Sequence, residues 1–173
     1  VADGLRRLGD LGKYMNRDQD RYWLSLQQTV AQIVQERADA YHDDQVMDEL
    51  AQVVRQETDK GLFERVHRFP HGSVDVDDDP GIGLVIFGPD RPFSKRAKSV
   101  AEGAALEFLN KRGTNARIHK NSLVFLAPEV DRVDVLLNAV RQRMAWEYIL
   151  DNRDSLNLDQ HNVKVAEARV TQS

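Results

Sequence analysis

The chain of 173 residues contains no cysteine. That excludes a disulfide framework and a thiolate zinc site, and it fits a reducing, cytoplasmic setting. No apolar run approaches the roughly 18 residues that a membrane-spanning helix needs, so no membrane partner is expected. There is no excess of basic charge either. The 24 Lys and Arg are outnumbered by 28 Asp and Glu, for a net charge of −4, whereas indiscriminate nucleic-acid binding requires a cationic surface. The opening Val1-Ala2-Asp3-Gly4 has neither an initiator Met nor a charged-then-apolar signal pattern, and it reads as the start of a piece cut from a longer protein. No repeat period or low-complexity tract is visible.

What is present is the composition of a globular chain, 41% hydrophobic and 30% charged. Leu5, Leu8 and Leu11 recur at helical spacing before Gly12. Aromatic and apolar residues then flank the polar stretch Asn16 to Asp20, with Tyr14 and Met15 on one side and Tyr22, Trp23 and Leu24 on the other. This predicts a short hairpin. Helix followed by hairpin is how a winged-helix module ends. Two helices are expected next, the first through Leu26, Val30, Ile33, Val34 and Tyr41, the second through Val46, Met47, Leu50, Val53 and Val54. Asp43 or Asp44 stands ready to cap the second, and Gly61 to close it.

From Phe63 the pattern changes. Phe63 to Phe69 predicts a strand stopped by Pro70, and an acidic loop, expected to be solvated, runs from His71 to Pro80. The runs Ile82 to Phe87 and Leu123 to Ala127 are nearly unbroken apolar stretches, as in strands buried on both faces. Between them a helix from Ser99 to about Arg112 is expected to end at Gly113, so the unit reads as a βαβ crossover with parallel strands. A long helix follows from about Glu129 to Asp151, and a last one from Leu158 to about Val170. The fold class expected is α/β, helix-rich, with a small, mostly parallel sheet of about three strands and flanking helices, preceded by a winged-helix-like helix and hairpin. The expected segments are 1–26 for the end of the winged-helix-like module, 27–61 for the helical pair, 62–153 for the α/β domain and 154–173 for the C-terminal helix.

Few constellations carry chemistry. Asp75, Asp77, Asp78 and Asp79 are dense enough to attract a hard cation, but no Gly sits at the turn and no Glu closes the loop as in an EF-hand, and no metal is expected. His42, His67, His71, His119 and His161 show no i, i+4 pair. His67 and His71 with Asp75 would make a conceivable acid–base set, and Glu64 with the aspartates a conceivable metal-dependent nuclease. Pro80-Gly81-Ile82-Gly83 precedes a strand, and Gly88-Pro89-Asp90-Arg91-Pro92 lacks two of the N–H donors a phosphate cradle needs. No nucleotide or other cofactor is therefore expected within this segment. The basic residues Arg6, Arg7, Lys13, Arg17 and Arg21 occupy positions that face DNA phosphates in a winged helix, with Asp3, Asp10, Asp18 and Asp20 nearly cancelling them. Trp146 and Tyr148, near Arg141 and Arg143, are read as core anchors of the long helix.

Several stretches in order resemble one family. They are Asp20 to Gln27, Val66-His67-Arg68-Phe69-Pro70, Asp77-Asp78-Asp79-Pro80, Leu84 to Pro89, Asn121 to Pro128, Ala145-Trp146-Glu147 and Leu156 to Asp159. The ordered set resembles the C-terminal half of a domain-of-unknown-function family of large prokaryotic ATP-binding proteins. These are similar to AAA+ ATPases and accompany DNA methyltransferases in restriction and phage-defence gene clusters. The resemblance implies a P-loop, ATP and magnesium upstream of Val1, and none of the family's nucleotide-binding residues has a counterpart here. It implies a non-catalytic docking or coupling module whose partners are its own ATPase domain, DNA, another protein or a second copy. The alternatives are the nuclease-like domain and a purely structural oligomerisation domain.

Overall fold

The computed structural model describes residues 15–18, 21–24, 30–96, 98–158 and 160–172. The protein is mixed α/β, and its contacts group it into two compact units, residues 1–42 with 139–173, and residues 43–138. The two helices of the expected pair fall in different units.

In the first unit, β1 (Met15–Asp18) pairs antiparallel with β2 (Arg21–Leu24). The register sets Asp18 opposite Arg21, so the hairpin is tighter than expected, because Asn16, Arg17 and Asp18 belong to the strand and not to its tip. The helix expected over Leu5 to Leu11 lies outside the described residues. Helix α1 (Val30–Ala40) follows, and its apolar stripe ends at Tyr41. The core joins Val34 and Ala38 of α1 to Ala145, Ile149 and Ala166 further along the chain. Three of these five are alanines, which lets helix backbones approach closely. Trp146 and Tyr148 pack against this core. The Arg37 guanidinium, the one cation in the stripe, sits 4.1 Å from the Tyr148 ring centroid and 5.2 Å from that of Tyr41, a cation–π arrangement.

The second unit opens with α2 (Asp43–Gln56), whose first turn holds Asp43 and Asp44 where the helix dipole favours negative charge. It ends at Gln56, not near Gly61. Gly61, with φ of +55°, instead forms a separate turn whose N–H donates to Asp59 Oδ1 at 2.8 Å. Strands β3 (Arg65–Arg68), β4 (Gly83–Ile86) and β7 (Leu123–Leu126) make a wholly parallel sheet in the order β3-β4-β7. Helix α3 (Val100–Asn110) joins β4 to β7. Ser99 caps it, its Oγ accepting from Glu102 N while its own N–H donates to the Glu102 carboxylate. The core on this face of the sheet is aromatic. Phe87 meets Phe108 of α3 edge-on at 5.5 Å and stacks on Phe125 at 5.6 Å, with Val76, Val85 and Ala101 around them.

Two expectations are corrected here. Gly113 does not terminate α3, because Lys111–Arg112 (β5) and Asn115–Ala116 (β6) pair into a miniature hairpin with Gly113 at its turn, φ +61°. Nor are the apolar strands buried on both faces. Val85 and Phe87 are fully buried on the helix side, while Leu84 and Ile86 opposite are half-buried. On β7, Val124 and Leu126 remain 45% and 54% exposed. The reason is position: β7 ends the sheet and only its helix-facing side is covered. A 3-10 turn at Val130–Arg132 leads into α4 (Val133–Asp151), and α5 (Gln160–Gln172) follows. The division between the units runs through α4.

Candidate functional site

The acidic loop between β3 and β4 is exposed, as its composition suggests, with the Asp77 and Asp79 side chains 51% and 54% exposed. Each carboxylate has a defined partner. One oxygen of Asp75 accepts from the N–H groups of His71 (2.9 Å) and Gly72 (3.1 Å), closing the 3-10 turn Ser73–Asp75. Asp77 pairs with Arg112 at 3.1 Å and Asp79 with Arg65 at 2.8 Å. Asp78 accepts from the backbone N–H groups of Ile118 (2.8 Å) and His119 (2.9 Å). Those two bonds hold the Asp78 carboxyl below the ordinary carboxylate range, with the Arg117 and His119 charges adding to them and burial opposing.

Arg117 organises the loop from beneath, and nothing in the sequence singled it out. Its side chain is wholly buried. Nε donates to Phe108 O at 2.7 Å, Nη1 to Asp77 O at 2.6 Å and Nη2 to Val76 O at 2.9 Å, and Nη1 lies 3.9 Å from an Asp78 oxygen. Burial lowers its pKa, Asp78 counters, and the guanidinium stays charged because its ordinary value is so high. One side chain thus fastens the C-terminal end of α3, the loop and the approach to β7. A planar fork can satisfy three diverging carbonyls; a lysine cannot.

The conceivable acid–base set does not assemble. The Asp75 carboxylate is turned to loop backbone, not to either imidazole. His67, on the helix side of β3, has a buried Nε2 with no hydrogen-bond partner among the described residues. Burial pushes its pKa below the ordinary value, opposed chiefly by the Asp77 charge. Glu64 stands just before β3 with its carboxylate against Gly81. Among the described residues no group of three or more His, Asp and Glu side chains is placed to hold a metal.

The glycine stretches lie before β4 and in the turn after it. Gly81 faces the Glu64 carboxylate, Gly83 is the first residue of β4, and the turn after β4 is closed by Arg91 N–H donating to Gly88 O at 3.0 Å. Of the basic residues read as DNA-facing, Arg6, Arg7 and Lys13 lie outside the described residues. Arg17 sits on β1 opposite Tyr22, and Arg21 on β2 opposite Asp18.

A cleft of about 260 Å³ opens where the carboxyl ends of β3 and β4 meet α2, the end of a parallel sheet at which ligands bind in open α/β folds. Met47, Ala51, Phe69 and Pro70 give it an apolar floor, and Asp48, Arg55, His71, Asp90 and Arg91 give it polar walls. Phe69 has φ of +50°, a conformation that costs a bulky residue on the order of 1–3 kcal/mol. It is held there by its N–H bond to Ile86 O at 2.9 Å and by Arg91, whose guanidinium donates to Pro70 O at 2.6 Å and His71 O at 2.7 Å. The cleft therefore has a braced wall, but Arg91 is engaged in bracing it. No protein-family model, no curated protein and no solved structure matches the chain.

Proposed function

We propose that this chain is a docking and coupling module of an ATP-binding, AAA+-like protein, without catalytic chemistry of its own. The observation that carries the reading is the state of the acidic loop. Asp75, Asp77, Asp78 and Asp79 are the densest set of chemically capable side chains, and each is engaged by an arginine or by backbone N–H groups. Carboxylates bound in this way shape a surface, which supports a structural role for the loop. The resemblance of the ordered stretches to the ATP-binding family supplies the rest. In this reading ATP and magnesium belong to a preceding ATPase domain, and the opening helix and hairpin contact DNA phosphates through Arg6, Arg7, Lys13, Arg17 and Arg21.

Calorimetric titration with magnesium and with manganese tests the first part, and no saturable heat is expected. A saturable site abolished by Asp77→Asn or Asp78→Asn would overturn the reading in favour of a metal-dependent nuclease. For the DNA contact, the variant with Arg6, Arg7 and Arg17 changed to Ala is expected to bind duplex more weakly and with a shallower salt dependence. Equal affinity and slope would remove DNA from the proposal.

A further inference from the structure

The open edge of the sheet is built in a way that exposed edges seldom are. In β7 the backbone of Leu126 faces β4, since Phe87 N–H donates to Leu126 O at 2.8 Å. Pro128 faces the same side, because its carbonyl accepts from Phe93 N–H at 2.8 Å. Backbone groups alternate along a strand. Those of Leu123, Phe125 and Ala127 therefore point away from β4 and pair with no described backbone group. The one proline in this stretch removes an N–H from the covered side and leaves the open side intact. Exposed edges are ordinarily blunted by charge, proline or a bulge. The opposite edge obeys that rule, with Arg65, His67 and Arg68 on β3, whereas β7 reads Leu-Val-Phe-Leu. On its outer face Val124 and Leu126 are exposed, and on its helix-facing side an apolar groove of about 300 Å³ opens past Phe125 between Phe93, Ala101, Ala105 and Ala127.

We infer that β7 pairs antiparallel with β7 of a second copy of this chain about a two-fold axis through Phe125. The strand is complementary to itself in this register. Phe125 faces Phe125 of the partner and Leu123 faces Ala127, so every outward N–H and C=O of the edge finds a partner. On the outer face Val124 lies opposite Leu126 of the other copy, twice by symmetry, so the exposed apolar pair covers itself. Beyond the strand, antiparallel pairing sets the end of one copy that carries Lys120 beside the end of the other that carries Glu129, itself 3.5 Å from Lys95 of its own chain. Registers centred one residue away leave one of the outward-facing residues unpaired. The contact is closed by its own symmetry and makes a sheet continuous across the two copies, blunt at both outer edges. The inference rests on the strand and not on the coupling reading.

The test is sedimentation of the 173-residue chain across about 1 μM to about 1 mM. A monomer–dimer equilibrium is expected. The variant Val124→Lys, Leu126→Lys sets like charges opposite each other and is expected to weaken dimerisation at least tenfold, while Val124→Lys, Leu126→Glu sets opposite charges in register and is expected to restore it. Both positions are exposed, so circular dichroism should be unchanged. Independently of those variants, the chain lacks cysteine, so Val124→Cys, Leu126→Cys provides a clean cross-link. The two positions form a closely spaced pair without backbone bonds between them, where a disulfide fits. Oxidation should give a covalent dimer, and Val124→Cys alone should not. A monomer at every concentration, species larger than a dimer, or a double-lysine variant as dimeric as the parent chain would each overturn the inference.

Discussion

In the unit of residues 43–138 the core is aromatic, with Phe87 packed between Phe108 and Phe125, whereas in the unit of residues 1–42 and 139–173 it is made of helices meeting at Ala38, Ala145 and Ala166. Each unit also shelters an arginine, and they do so differently. Arg117 donates to three backbone carbonyls in the aromatic unit, and Arg37 lies over two tyrosine rings in the helical one. The aromatic core concentrates its stabilisation in a few large side chains, so it is vulnerable to truncation. The alanine core depends on close approach of backbones, so it is vulnerable to added volume. Trp23 and Trp146 both belong to the helical unit, and their fluorescence reports that unit while circular dichroism reports both.

The largest expected effect is at Phe108, which is 2% exposed and contacts Phe87. Phe108→Ala should cost about 3–5 kcal/mol in urea unfolding, and the transition seen by circular dichroism should move further than the one seen by tryptophan fluorescence. Equal shifts would erase the distinction between the units. Arg117→Met comes next. It removes the Arg117 donors from the carbonyls of Val76, Asp77 and Phe108 and a charge 3.9 Å from Asp78, a loss on the order of 3 kcal/mol. Arg117→Lys should recover only part of it. A loss of less than about 1 kcal/mol for Arg117→Met would mean that the loop is held by its other arginines. In the helical unit the sensitive change is the opposite kind. Ala145→Leu should destabilise by about 1–3 kcal/mol through overpacking, with tryptophan fluorescence moving first.

The elements were legible wherever an apolar run lay between glycines and prolines. Ile82 to Phe87 and Leu123 to Ala127 announced the parallel strands, and the stretch from Ser99 announced α3. What escaped was everything set by partners distant in the chain. The aspartates look unpartnered in sequence because their partners lie 14 residues away for Asp79 with Arg65, 35 for Asp77 with Arg112 and 40 for Asp78 with Ile118. Arg117 sits in an aperiodic polar stretch with nothing to mark it, and its role exists only once three carbonyls converge. An unbroken apolar strand, in turn, reads the same whether it is buried or waiting at an edge. That is why Val124 and Leu126 were expected inside.

The smallest expected effect is a pH dependence in the aromatic unit. His67 has its pKa lowered from 6.5, first by burial, then by Arg65 and Arg117, against the pull of Asp77 and the Asp75 carbonyl. In the unfolded chain the imidazole takes a proton as pH falls through about 6.5, while the folded chain resists. Unfolding therefore gains protons, and stability falls as pH drops below 6.5, by at most about 1.4 kcal/mol per pH unit, until the folded pKa is passed. Above 6.5 both states are neutral and the group contributes nothing. Asp78 acts in a lower window. Its stabilisation is complete above 3.8 and is lost only as pH falls below that value toward its depressed folded pKa. Urea midpoints compared at pH 7.5 and 5.5 therefore leave Asp78 out and take in His67. The parent chain should lose stability between them and His67→Gln should lose less. An undiminished loss in His67→Gln would assign the acid sensitivity to another histidine and leave the buried imidazole a neutral part of the packing beside Gly83.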